Sequence, residues 1–241
     1  MKLFGNWKMA QSRQGAQSFA ADASGYRPDP LVESLIFASC LQIPEMMERL
    51  KDWSFGAQDC SAELPGPYTG QVSAREISEF GVKDLLLGHS ECRAAGQSEE
   101  LLKRKLERAK EASLRLCYCV GESLQEREEG RLWDCLSRQL ENLENCSAEF
   151  CIAYEPVWAI GTGKTASLER IAEVHLWIQA KFPKVPILYG GSVKPENSAE
   201  IMGLESVGGL LVGTASLKWE SLEKILELAS LEAQKRRQRA K

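Results

Sequence analysis

A few residues in this chain of 241 are of a type and spacing that could move a proton or hold an anion. Glu155 ends the apolar run Phe150-Cys151-Ile152-Ala153-Tyr154 and is followed at once by Pro156. A carboxylate at the end of a buried strand loses part of its hydration, which suits it to accept a proton. The same position also suits a strand-end salt bridge. The next segment, Val157-Trp158-Ala159-Ile160 and then Gly161-Thr162-Gly163, has a rigid start, an apolar middle and a free end. That is the composition of a loop able to swing shut over a site and exclude water.

Other junctions between apolar runs and polar segments extend the set. His89, with Ser90 and Glu91, follows one run; a single His is more commonly a hydrogen-bonded core residue, but its polar neighbours favour function. Asn6 and Lys8 fall on alternate positions of another run, so a strand there would point both the same way. Tyr189-Gly190-Gly191-Ser192-Val193 and Leu211-Val212-Gly213-Thr214 supply glycine-flanked backbone amides. Each could be only a tight turn, but as a pair at the ends of the last two strands they favour a phosphate. The run Gly161-Thr162-Gly163-Lys164-Thr165 does not read as a nucleotide loop, because the glycine needed five residues before Gly163 is Trp158.

The elements that must position these residues alternate from end to end. Short apolar runs occupy 2–7, 35–39, 54–58, 84–87, 115–120, 150–154, 186–189 and 209–212. Amphipathic stretches such as 98–113, 132–145, 168–181 and 217–232 lie between them. Strict alternation implies parallel strands joined by helical crossovers. Eight such units of roughly 30 residues predict an α/β fold of the closed (β/α)₈ type, with chemistry at the C-terminal strand ends. The alternative, an open doubly wound sheet, usually carries a glycine triplet after its first strand, where this chain reads Gly5-Asn6-Trp7-Lys8-Met9. No linker composition divides the chain, so one domain over 1–241 is expected, with a basic tail at about 234–241 fraying in solvent.

Bulk composition narrows the function classes. A net charge of −4 leaves no basic excess for nucleic acid. No apolar run reaches the ~20 residues of a membrane helix, and the start is too short and polar for a signal peptide. A cytoplasmic location is expected. The eight cysteines are scattered, and with two histidines they offer no metal-ligand spacing; reduced, mostly buried thiols are expected, with Cys117 and Cys119 facing one side.

Read together, the motifs resemble the triosephosphate isomerase family. They are N-W-K-M (6–9), G-A-Q-D (56–59), Y-T-G (68–70), L-G-H-S-E (87–91), C-V-G-E (119–122), A-Y-E-P-V-W-A-I-G-T-G-K-T-A (153–166), Y-G-G-S-V (189–193) and L-V-G-x-A-S-L (211–217). They stand in family order across nearly the whole chain. The resemblance implies an isomerase of glycolysis and gluconeogenesis that interconverts glyceraldehyde 3-phosphate and dihydroxyacetone phosphate without a cofactor. It makes Glu155 the base, His89 the electrophile, Lys8 the electrostatic stabiliser and Asn6 a substrate-orienting group. It gives the phosphate to amides of Gly161, Ser192, Gly213 and Thr214, a supporting role to Ser90 and Glu91, and a closing lid to 156–166. A neutral imidazole opposite a glutamate base is a pattern for which this family is itself the standard worked case. A homodimer through the loop 60–71 is expected as well.

The chain departs from the family pattern in several places. Cys92 stands where an Arg is usual, Gln71 where a Glu is usual, and Thr214 where many relatives have Gly. The segment Ala94-Ala95-Gly96 is one residue short and lacks an aromatic. The loss of two opposite charges at 92 and 71 suggests a paired change, because one alone would be stranded. Two rivals remain open: an epimerase or synthase of a larger sugar phosphate, and a non-catalytic protein that kept the fold.

Overall fold

The structure is a computed structural model that describes residues 1–160 and 165–239. Strands β1 (Lys2–Asn6), β2 (Glu33–Ala38), β3 (Ser54–Ala57), β4 (Asp84–Leu87), β5 (Arg115–Val120), β6 (Phe150–Tyr154), β7 (Ile187–Tyr189) and β8 (Gly209–Val212) form a closed barrel. Every neighbouring pair is parallel, and β8 closes on β1 with Lys2 opposite Gly209. The expected barrel is therefore the observed fold. All eight runs became strands, four with the expected bounds and the other four with one or both ends shifted by one or two residues.

Side chains alternate between two apolar layers, as strand geometry demands. Phe4, Leu35, Phe37, Leu86, Cys117, Cys119, Cys151, Ala153, Leu188 and Leu211 fill the inside of the barrel. The larger layer lies between barrel and helices. Cys117 and Cys119 share one side, and Cys151 joins them there. All eight thiols are free; five are buried, Cys92 and Cys146 are half-buried, and Cys40 is exposed. Burial pushes the Cys60, Cys119 and Cys135 thiols up to about 12, which removes the reactive thiolate.

The outer layer includes α1 (Arg13–Ala23), α2 (Ile43–Arg49), α3 (Ala74–Glu79), α4 (Ser90–Ala94), α5 (Glu99–Glu111), α6 (Leu124–Glu128), α7 (Leu132–Leu140), α8 (Leu168–Lys181), α9 (Pro195–Gly203) and α10 (Trp219–Arg239). Ser side chains cap the starts of α1, α3, α5, α6 and α8, accepting amides that would otherwise lack partners. The C-terminal tail corrects the expectation of fraying, because positions 234–239 continue α10. Arg236 holds them: it donates to the carbonyls of Met202 and Leu204 at the free end of α9, to that of Val207 on the way to β8, and to Glu232. A cation there meets the negative end of the α9 dipole. No described helix is long and apolar enough to cross a membrane.

Candidate active site

The strand ends bring the predicted residues to one mouth. A cavity of about 640 Å³ opens at the C-terminal end of the barrel, and Asn6, Lys8, His89, Glu155, Ser192, Gly213 and Thr214 line it. Each arrives there by its own backbone route.

Glu155 follows β6 and remains pinned on both sides of the sheet. Its N–H donates to Val120 O at 2.7 Å, and Tyr154 O accepts from Gly190 N–H at 2.8 Å. A Cβ at Gly190 would stand 2.8 Å from Glu155 Cγ, so glycine is what makes room for the carboxylate. Pro156 then turns the chain into a short 3₁₀ turn, Val157–Ala159. The Glu155 side chain is almost wholly buried, with 3% exposed.

His89 leaves β4 through Gly88, whose φ of 73° only glycine adopts readily. The ring caps the first turn of α4: Nδ1 accepts the Glu91 N–H at 3.2 Å. A nitrogen that accepts carries no proton, so the proton of the ring lies on Nε2. Nε2 faces Glu155 Oε1 at 3.1 Å, and Ser90 N–H donates to Glu155 Oε2 at 3.2 Å. Carboxylate and imidazole thus meet directly, both buried.

The expected reason for the placement of Lys8 is corrected. β1 ends at Asn6, and Lys8 lies in a turn with φ of 51°, so strand alternation does not aim it. The left-handed conformation costs a non-glycine residue about 1 kcal/mol. Its backbone is held there: Lys8 N–H donates to Asn6 Oδ1 at 3.0 Å, and Gln58 Nε2 donates to Lys8 O at 3.0 Å. The ammonium pairs with Glu91 Oε1 at 2.7 Å, while Glu91 Oε2 lies 3.6 Å from His89 Nδ1. Glu91 therefore touches both groups, the imidazole through its backbone N–H and the cation through its carboxylate.

On the opposite wall, Gly213 leads into the 3₁₀ turn Thr214–Ser216, whose first amides have no intrahelical partner. Ser192 differs: its N–H donates to Ala159 O at 3.1 Å and its Oγ to the same oxygen at 2.7 Å. Gly161 lies outside the described residues.

Sequence reasoning missed a second buried cluster. Glu122, fully buried after β5, accepts at Oε1 from Arg127 Nη1 at 2.9 Å, Trp158 Nε1 at 3.0 Å and Tyr154 Oη at 3.2 Å. The signal was present, because Glu122 is a strand-end carboxylate like Glu155. Arg93 was missed too; it donates to Gly88 O at 2.6 Å and Cys119 O at 3.1 Å, bracing the turn that delivers His89. Around the sequence departures, Gln71 and Gln97 line a cavity of about 530 Å³ with Asp59 and Lys105. Gln97 Nε2 and Lys105 Nζ each reach Asp59 Oδ2 at 2.6 Å. Gln97, the residue bonded to Cys92 O through its N–H at 3.1 Å, is thus the polar neighbour of that position. Among the described residues, no cluster of His, Cys, Asp and Glu could hold a metal ion.

A (β/α)₈ barrel with a buried carboxylate–imidazole pair at its C-terminal mouth has the layout of a proton-transfer enzyme. The family model described as "Triosephosphate isomerase" matches residues 1–229. The chain belongs to the triosephosphate isomerase family and is an isomerase. A triosephosphate isomerase from Nitratiruptor sp. is 37% identical to it, over 95% of this chain and 98% of the relative. One from Nitratidesulfovibrio vulgaris is 39% identical, over 92% and 96%. One from Ruegeria sp. is 40% identical, over 89% and 92%.

Proposed function

We propose that this protein interconverts glyceraldehyde 3-phosphate and dihydroxyacetone phosphate, with Glu155 as the base. The observation that carries this reading is the 3.1 Å approach of His89 Nε2 to Glu155 Oε1, with Nδ1 occupied as an acceptor. Substrate carbons in the cavity beside this pair meet a proton acceptor in Glu155 and an N–H donor in His89. Glu155 takes a proton from one carbon, and the carbonyl oxygen gains negative charge. His89 Nε2–H and the Lys8 ammonium stabilise that enediolate, His89 passes the hydroxyl proton from one enediol oxygen to the other, and Glu155 returns the carbon proton to the neighbouring carbon. No electron carrier is required, because a proton moves out and back.

Asn6 orients the substrate oxygens. The amides of Gly213 and Thr214, with Ser192, take the phosphate at a distance from the reacting carbons. The lid 156–166, including Gly161, closes over the site, and phosphate binding helps drive that closure. The Trp158–Glu122 hydrogen bond supports a lid anchored at its start. We assign the protein to the cytoplasm, to glycolysis and gluconeogenesis, and to a homodimer through the loop 60–71. A single species of 26.8 kDa in sedimentation at micromolar concentration would overturn the dimer.

The test of function is isomerisation of glyceraldehyde 3-phosphate, coupled to a dehydrogenase, for wild type beside Glu155→Gln. An active wild type and a mutant at least ~10²-fold slower are expected for loss of a general base. A folded but inactive wild type would favour the non-catalytic reading.

A further inference from the structure

Gly121, the first residue after β5, presses against the backbone of Glu155. The last register pair of β5 and β6 is Val120 with Tyr154, so Gly121 stands opposite Glu155. A Cβ at Gly121 would lie 1.8 Å from Glu155 O and 2.6 Å from its carbonyl carbon. The residues on either side tie the two segments together: Glu155 N–H donates to Val120 O at 2.7 Å, and Val157 N–H to Glu122 O at 3.0 Å. The line on which Gly121 lies therefore sets the line on which Glu155 lies.

On its other flank β5 has run past its neighbour, because the last pair of β4 and β5 is Leu87 with Tyr118. The peptide groups of Gly121 need partners there, and a side chain supplies both. Gln139, buried on α7, accepts the Gly121 N–H at Oε1 at 2.8 Å and donates from Nε2 to Gly121 O at 2.9 Å. The same Nε2 lies 3.2 Å from Cys135 Sγ, one turn earlier on the helix. An amide bonded to both peptide groups of one residue holds that residue against rotation and sliding alike. We infer that Gln139 is a positioning residue: it fixes the end of β5 against Glu155 and so sets how the carboxylate meets His89. This rests on the reading above that makes Glu155 the base. Displacing a reacting group by about 1 Å can cost ~10²-fold, and loss of one restraint among several is expected to cost about 10-fold in kcat.

The test compares Gln139→Met, which keeps the packing and removes both hydrogen bonds, with Gln139→Asn, which draws the amide back by one methylene. Two readouts are taken below the melting temperature of each variant: the kinetics of triose phosphate isomerisation, and the ring N–H signals of the ¹⁵N-histidine enzyme. The chain has two histidines, His89 and His175, and His175→Gln assigns them. The His89 Nε2–H signal follows its 3.1 Å contact with Glu155 Oε1. In Gln139→Met, kcat is expected to fall about 10-fold with KM within two-fold, and the His89 signal to shift while that of His175 stays. Gln139→Asn should show the same changes, smaller, and it carries the test if Gln139→Met does not fold. Arg115→Met, which disturbs the far end of the barrel, is the control for lost stability and should leave kcat and the His89 signal alone. Wild-type kcat and a wild-type His89 signal in the folded variants would overturn the inference. So would an equal loss of kcat in Arg115→Met, which would mark a merely structural effect. An inactive wild type whose His89 signal still answers to Gln139 would sink the proposed reaction and leave the positioning role standing; an active enzyme indifferent to Gln139 would do the reverse.

Discussion

At the N-terminal end of the barrel, Lys2, Glu33, Asp84 and Arg115 close on one another around a cavity of about 10 Å³. At the C-terminal end, Asn6, Lys8, His89 and Glu155 stand around one of about 640 Å³. At the bottom the pairings form a chain: Lys2 meets Glu33, and Arg115 reaches Glu33 at 3.5 Å and Asp84 at 2.7 Å. At the top, Lys8 meets Glu91 and His89 meets Glu155, and the two pairs keep an open space beside them. Strands of the one barrel end in charge at both faces, yet one set seals and the other waits. Backbone makes the difference: bottom charges sit on strand residues with fixed pleat, whereas His89 and Lys8 follow left-handed turns at Gly88 and Lys8 itself. Turns can aim a side chain over the mouth, which a strand residue cannot do.

The largest break in this comparison should come from Glu155→Gln, which keeps shape and removes the proposed base. A loss of 10²–10⁴-fold in kcat is expected, with the melting temperature nearly unchanged. Steady-state kinetics beside a thermal melt separates the two.

His175 sharpens the contrast, being a titratable ring at neither end and without an opposite charge. It is fully buried; Nδ1 lies 3.2 Å from Ser206 O, and Nε2 has no partner among the described residues. Burial lowers its pKa from the ordinary 6.5 to about 4. The unfolded ring therefore binds a proton at a higher pH than the folded one. The stability contributed by the neutral ring is full above pH 6.5 and falls as pH drops from 6.5 through 4, by of order 3 kcal/mol in total. Urea midpoints across that window should fall less steeply in His175→Gln than in wild type; parallel curves would refute the assignment.

Arg115→Met is the counterpart at the bottom. It strands the Asp84 carboxyl, whose pKa burial already raises. A stability loss of about 1–3 kcal/mol is expected, with kcat/KM unchanged. A drop in kcat/KM without loss of stability would show that the two ends are coupled.

The smallest effect belongs to Gln58→Ala, which removes the amide that braces Lys8 O and lies 3.3 Å from Asn6 Oδ1. A several-fold rise in KM for the triose phosphate, with kcat nearly kept, is expected of a group that only positions others.

Much of this was legible from local pattern. Eight apolar runs separated by amphipathic stretches could bury their faces only against parallel neighbours, and short strand ends pointed to one mouth. Glu155 and His89 were readable because each breaks an apolar run with a polar group. Glu122 obeyed the same rule and went unread, because its meaning lies largely in Tyr154 and Trp158, 32 and 36 residues further along the chain. Arg93 and Gln58 were hidden for a related reason: their targets are backbone oxygens, which no residue type announces. The tail from 234 looked like solvent-facing charge, and nothing local shows that Arg236 would find three carbonyls on α9 and its approach to β8.

By itself, the sequence determined the period of its apolar residues, the places where glycine and proline must turn the chain, and the types of group available at the strand ends. These follow from short-range sterics and from the need to remove apolar surface from water. Only the tertiary structure decided which groups meet: Glu155 with His89, Lys8 with Glu91, Trp158 with Glu122 and two arginines. Contacts across 66 residues, as between His89 and Glu155, depend on barrel closure and strand register, which no short stretch of the chain encodes.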